Sequence, residues 1–227
     1  MEKKADIISM SWTIPIPEEG SPTRTQIDEV LKRACEQKIL MFCSSPDQKS
    51  QTRHYPWHYD RDKIFLIGAA DDSGTAYNHS GPDSNFIFPG VNVNTSNKSY
   101  TGDPEAFVQR STGSSIATAL AAGLAAMVTY CFKASAIHSV TTRIAQGKPP
   151  TGVAELVKPE DVDKIAQHDG LKKAFERIGP LDEGKFIAVW EVFGPATKCL
   201  TDGKKTYEEK ITKMMNLCRN LMDRIDR

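Results

Sequence analysis

Short apolar runs, each closed by a polar or turn-forming stretch, set the rhythm of the first half of the chain. Ala5-Asp6-Ile7-Ile8-Ser9-Met10-Ser11-Trp12 predicts a short buried strand, stopped by Thr13 and the prolines at 15 and 17. Gln26 to Gln37 has helical period, with Ile27, Val30, Leu31, Ala34 and Cys35 on one stripe, and predicts an amphipathic helix. Ile39-Leu40-Met41-Phe42-Cys43 is continuously apolar and too short for a helix, the signature of a strand buried on both faces of a parallel sheet. The loop Ser44–Gln48 follows it, then a polar loop from Ser50 to Lys63. Ile64 to Ala69 predicts another buried strand, Asp71 to Asn85 a turn-rich stretch, and Phe86 to Val91 a further apolar run. An alanine-rich helix is expected from about Ser114 to Phe132. Strand, helix, strand, loop, strand and long helix is the order of an α/β domain, a mostly parallel sheet flanked by helices. Active sites in such domains lie at the carboxyl ends of the strands, which makes Ser44–Gln48 a candidate location for chemistry.

Beyond Thr142 the pattern changes. Gly147-Lys148-Pro149-Pro150 reads as a linker, and charged helical stretches follow at Pro159–His168, Gly170–Ile178 and Tyr207–Arg227. Lys185 to Trp190 fits strand and helix equally by period. The expected organisation is a domain over residues 1–146 and a mainly helical C-terminal extension over 147–227, with no internal repeat and no low-complexity tract.

Composition narrows the function classes. The chain has 227 residues, 39% of them hydrophobic and 26% charged, enough to bury a substantial core. Lys+Arg and Asp+Glu both number 29, so no net charge steers it to nucleic acid or a membrane surface, and neither partner is expected. No apolar run approaches transmembrane length, and the start of the chain lacks the apolar core of a signal peptide. The five cysteines, at 35, 43, 131, 199 and 218, are odd in number and scattered, and the first three lie in segments that read as buried. Reduced thiols in an intracellular, cytoplasmic compartment are the expectation.

The candidate chemistry centres on the stretch from Ser111 to Met127, where hydroxyl and glycine residues precede the alanine-rich helix. Ser114 or Thr112 can cap that helix. Ser115 falls in its first turn, where free N–H groups favour developing negative charge, so it reads as a nucleophile or as one more capping residue. His54 and His58 have the spacing of a metal pair, but Pro56 stands between them and no acidic or cysteine ligand accompanies them as a motif. They and His79 read as loop histidines, and Asp60 and Asp62 as solvated charges. No metal and no cofactor is expected.

Gly113, Ser115, Ala117, Thr118, Ala122 and Gly123 resemble the nucleophile motif of the subtilisin-like serine peptidases, G-T-S-M-A-[ST]-P-H-V-A-G, while Ser114, Ile116, Ala119, Leu120 and Ala121 depart from it. Asp6-Ile7-Ile8-Ser9-Met10-Ser11 resembles the D-V-I-N-M-S strand of that family. Tyr55-Pro56 with Ile64–Ala69 resembles its Y-P and V-I-A-V-G-A blocks, and Gly81-Pro82 with Phe88-Pro89-Gly90-Val91 its G-P and A-P-G-V steps. All four blocks stand in family order over roughly the first 140 residues.

The resemblance implies part of a three-layer subtilisin-like domain and a serine-type endopeptidase in which Ser115 attacks the peptide bond through an acyl-enzyme. It implies a peptide or protein substrate added as an extra strand along Ser9, Met10, Ser11, Trp12 and Thr13, with Trp12 either shaping a pocket or packing in the core. Asp47 falls at the position of the family's oxyanion-hole asparagine. An ionised carboxylate there only accepts hydrogen bonds, whereas a protonated one donates, so Asp47 reads as an oxyanion-hole residue or as a loop cap. The family's aspartate and histidine blocks precede the D-V-I-N-M-S strand, and this chain begins at that strand. The chain alone is therefore expected to be inactive, with the missing N-terminal segment or another chain completing the sheet. The alternative is a truncated or pseudo-peptidase module with a binding or regulatory role. A different serine hydrolase is disfavoured by the absence of G-x-S-x-G.

Overall fold

The computed structural model describes residues 5–47, 53–78, 83–96, 108–147, 157–179 and 185–222. Gly81-Pro82, His79 and positions 148–150 of the expected linker lie outside the described residues. The chain divides into two compact units, one of residues 7–122 with 185–187, the other of residues 1–6, 123–184 and 188–227.

The first unit is built on four parallel strands. β1 (Ile7–Met10) leads through a two-residue β2 (Ile14–Pro15) into α1 (Pro22–Glu36) and β3 (Leu40–Ser44). β4 (His54–Tyr55), β5 (Ile64–Ala70), β6 (Phe86–Pro89), β7 (Val93–Ser96) and β8 (Val108–Ser111) follow, and α2 (Ser114–Ala145) begins directly after. The main sheet has the order β1-β3-β5-β6, with Ile8 opposite Met41, Cys43 opposite Leu66 and Ala69 opposite Phe88. Every residue of β3 and β5 is buried, as their unbroken apolar runs require.

Period-two alternation divides the side chains between two faces. On one, Met10, Met41, Cys43, Ile64 and Leu66 pack with Ile27, Leu31, Ala34 and Cys35 of α1. Val30, expected on that stripe, is 54% exposed. On the other face Phe42 and Phe65 stack at 5.0 Å between ring centroids, and Phe86 lies 6.2 Å from Phe65. α1 starts before the expected Gln26, because Ser21 caps it by accepting from the Arg24 N–H (3.3 Å) and Pro22 occupies the first turn.

Three pairings were not anticipated. β2 and β4 form a two-residue antiparallel ladder inside segments read as loops. β7 and β8 pair antiparallel ahead of α2. Lys185–Ile187 returns to this unit, where Phe186 bridges Ile87 and backbone bonds of 2.8 and 3.0 Å run from Ile87 N to Lys185 O and from Ile187 N to Ile87 O.

The second unit is helical. It holds the later turns of α2, then α3 (Pro159–Ile165), α4 (His168–Ile178), α5 (Val189–Thr201) and α6 (Tyr207–Met222). α4 buries Leu171, Ala174, Phe175 and Ile178, an i, i+3, i+4, i+7 face. The stretch that fitted both periods is extended through Ile187 and helical from Val189. α2 continues past Phe132 to Ala145, and Gly147 follows with φ 65°. By length and composition alone α2 is apolar enough to cross a membrane, contrary to the expectation from shorter runs, but half of its apolar window is buried within the protein. The five cysteines are free thiols: Cys43 and Cys218 are buried, Cys35, Cys131 and Cys199 partly so.

Candidate active site

Two glycines bring the carboxyl ends of β5 and β6 against the start of α2. Gly90 donates its N–H to Ala70 O (2.9 Å) and accepts from Gly113 N (2.8 Å). A methyl group on Gly90 would stand 2.7 Å from Ala69 Cβ, 3.0 Å from Gly113 O and 3.2 Å from Ala117 Cβ, so only glycine fits without displacing a neighbour. Gly113 has φ +149°, a conformation that side-chain-bearing residues rarely adopt, and a Cβ there would lie 3.2 Å from Asp47 Oδ2 and 3.5 Å from Ser115 Oγ. The small residues ahead of α2 thus serve close approach.

The capping of α2 differs from the expectation. Ser114 is buried, and its hydroxyl donates to Ser45 O at 2.6 Å, tying the helix to the end of β3. Thr112 Oγ1 accepts from Asn92 N (2.9 Å). The acceptor for the first helical N–H comes instead from the loop after β3: the Asp47 carboxylate takes the Ser114 N–H at 3.0 Å through Oδ1 and 3.3 Å through Oδ2. A carboxylate at this point also meets the positive end of the helix dipole. Asn78, with φ 48°, reaches Asp47 O at 3.5 Å. Neither the Asp47–Ser114 contact nor the part of Asn78 is visible in sequence, because each joins segments more than thirty residues apart.

Ser115 is exposed, and its hydroxyl makes no hydrogen bond among the described residues. Its carbonyl accepts from Ser11 Oγ at 3.1 Å. The residue just past β1 and the first turn of α2, 104 positions apart in sequence, are therefore in contact. Of the segment expected to line a substrate, Met10 is buried in the core under α1. Ser9 and Ser11 are exposed, Trp12 is 44% exposed, and Thr13 Oγ1 donates to Tyr55 O at 3.2 Å.

His58 is engaged elsewhere. Arg61 Nη2 lies 2.8 Å from His58 Nδ1, and the same guanidinium sits 4.3 Å above the Trp57 ring. Burial first, then the charges of Arg61 and Arg53, push the His58 pKa down, which favours the neutral ring accepting from Arg61. His54 lies in β4. No three His, Cys, Asp or Glu side chains gather as a metal site among the described residues.

The sequence profile of the Subtilase family matches residues 1–148, well over half of the chain. The chain belongs to the subtilase family. No curated protein matches this subtilase chain over its sequence. Among solved structures it is similar to the prenylagaramide maturation protease PagA, with 16% identity and a TM-score of 0.49 over 82% of this chain. It is also similar to the PatG macrocyclase domain (16%, TM-score 0.45, 78% of this chain) and to a chain of the subtilase cytotoxin SubAB assembly (15%, 0.44, 98%). The subtilase chain spans 60%, 44% and 62% of those three structures.

Proposed function

We propose that this chain is the serine-bearing part of a serine-type endopeptidase, with Ser115 as the nucleophile that forms the acyl-enzyme. The observation that carries the reading is the position of Ser115: an exposed hydroxyl in the first turn of α2 with no hydrogen-bond partner among the described residues, held through its carbonyl to Ser11 just past β1. A peptide lying along Ser11–Thr13 would pass beside that hydroxyl, and backbone pairing there would supply affinity. The Ser115 N–H, beside the Ser114 N–H that Asp47 takes, would face the developing oxyanion. A serine hydroxyl at neutral pH needs a base within hydrogen-bond reach. The reading assigns that base to a segment other than the described residues, in the same polypeptide or in another chain that pairs with the β1 edge.

A second reading, a catalytically silent module with a binding or regulatory role, is favoured by Asp47. Its carboxylate accepts the Ser114 N–H and brings negative charge to the place where an oxyanion would form. In the active reading the Asp47 carboxylate withdraws from the Ser114 N–H when substrate binds.

The two readings separate on the natural gene product. An alkyl fluorophosphonate should label it, and Ser115→Ala should abolish the label. Absence of the label from both proteins would leave the silent module, and labelling that persists in Ser115→Ala would move the nucleophile to another residue. The reading places the protein inside the cell, consistent with its free thiols.

A further inference from the structure

The outer strand β6 is flanked by Lys185–Ile187, a segment from far later in the chain that belongs to the same compact unit as the sheet. The Ile87 N–H donates to Lys185 O at 2.8 Å, and the Ile187 N–H donates to Ile87 O at 3.0 Å. Just past the strand held in this way, Gly90 accepts the Gly113 N–H at 2.8 Å. Phe186 makes a second hold. A methyl group on Gly74 would stand 2.9 Å from Phe186 Cδ1 and 3.0 Å from its Cγ, so the ring rests directly on the Gly74 backbone. Gly74, with φ +83°, is a corner of the closed turn after β5. There Asp71 Oδ1 accepts from the N–H groups of Ser73 (3.0 Å) and Thr75 (2.9 Å), and the Asp71 N–H donates to Thr75 O (3.0 Å). The Tyr77 N–H ties the far end of the turn to Ala69 O at 2.8 Å, and the next residue, Asn78, gives its side-chain amide to Asp47 O at 3.5 Å. Asp47 in turn takes the Ser114 N–H. One backbone route and one side-chain route therefore run from Lys185–Ile187 to the N–H groups of Gly113 and Ser114, directly ahead of Ser115.

We propose that Lys185–Ile187 is a positioning strand for the candidate site, and that Phe186 is the positioning residue through which it sets the start of α2. A reacting group must be held to within about 0.5 Å, and loops hold it less precisely than strands and helices do. Gly90, Asp47 and Gly113 all lie in connections between elements, outside β6, β3 and α2. The return strand fixes the first through the backbone of β6 and the second through the turn under Phe186. A side chain that only covered the end of the sheet would change stability and leave the geometry at Ser114 as it is. That Phe186 sets the rate of attack rests on the reading of Ser115 as nucleophile; that it holds the Asp47–Ser114 contact does not.

The test compares wild type, Phe186→Ala, Phe186→Leu and Asn78→Ala in the natural gene product, by amide NMR spectra of the folded proteins and by fluorophosphonate labelling resolved into affinity and maximal rate. Phe186→Ala should displace the Ser114 amide proton resonance, leave that of Met41 in place, and lower the maximal labelling rate about tenfold or more at unchanged affinity. Phe186→Leu, which keeps an apolar side chain on Gly74, should restore both. Asn78→Ala should displace the Ser114 resonance as Phe186→Ala does, and the two changes together should displace it no further. An unmoved Ser114 resonance in Phe186→Ala, or labelling of Phe186→Ala at the wild-type rate, would overturn the proposal and leave Ser115 as nucleophile. A wild type that takes no label would overturn the reading of Ser115 instead, and with it the effect on rate, while the Ser114 resonance would still show whether the strand holds the helix start.

Discussion

The two units of this chain bury their side chains by different means, and they differ as much in how openly their sequences declare it. The sheet unit stacks parallel strands whose residues are hidden on both faces, so Leu40–Ser44 and Ile64–Ala70 read as unbroken apolar words. The helical unit hides one stripe of each helix and leaves the other in water, so its signal is a period diluted by charge, as in α4. In the sheet unit the candidate site lies where the strands end. In the helical unit the later turns of α2 leave Met127, Tyr130, Ile137 and Ile144 exposed.

The largest expected effect comes from breaking the doubly buried layer. Phe65→Ala removes a fully buried ring from the Phe42–Phe65–Phe86 stack and should cost about 3–5 kcal/mol in denaturant unfolding. Ile137→Ser at an exposed position of α2 should change the folding stability by less than about 0.5 kcal/mol. Equal losses at the two positions would erase the contrast between the units. Next comes Gly90→Ala, where a methyl 2.7 Å from Ala69 Cβ overpacks the junction of β5, β6 and α2 and should cost about 1–3 kcal/mol.

Sequence alone carried the parallel sheet and α1, because burial on both faces and a clean helical stripe leave periodic marks. The resemblance to family motifs singled out Ser115, Gly113 and Gly90, and the structure gives the two glycines a steric reason, a close approach that a Cβ would obstruct. Sequence did not carry the β2–β4 and β7–β8 ladders, which are two and four residues long, too short to show a period. Nor did it carry α5, where Gly194 and Pro195 interrupt the helical pattern and strand-like Lys185–Ile187 precedes it. Asp47 was found at its position, but the bond it makes, as an acceptor of the Ser114 N–H, is a tertiary fact.

Smaller effects sharpen the picture at that bond. Asp47→Ala leaves the Ser114 N–H without its acceptor and should cost about 1 kcal/mol in thermal or denaturant unfolding. Asp47→Asn keeps an acceptor and adds an amide donor, and should lose less. A loss of more than about 3 kcal/mol on Asp47→Ala would mean that the carboxylate does more than cap α2.

Burial of thiols, one in each unit, has an effect that vanishes at neutral pH and appears only in alkali. Burial pushes Cys43 and Cys218 from 9.0 up to about 12. Below pH 9 both states hold these protons and nothing changes. As pH rises from about 9 toward 12 the unfolded chain loses protons that the folded chain keeps, so stability falls across that window. At pH 8 both thiols should resist Ellman's reagent until the chain is unfolded. Rapid reaction of either in the folded chain would contradict its burial.

The most direct test of the central claim is mass-spectrometric mapping of a fluorophosphonate adduct on the natural gene product. The account predicts a single phosphonylated site at Ser115, lost in Ser115→Ala and formed faster in Asp47→Asn. An adduct at another serine, or none in the wild type and in Asp47→Asn alike, would contradict it.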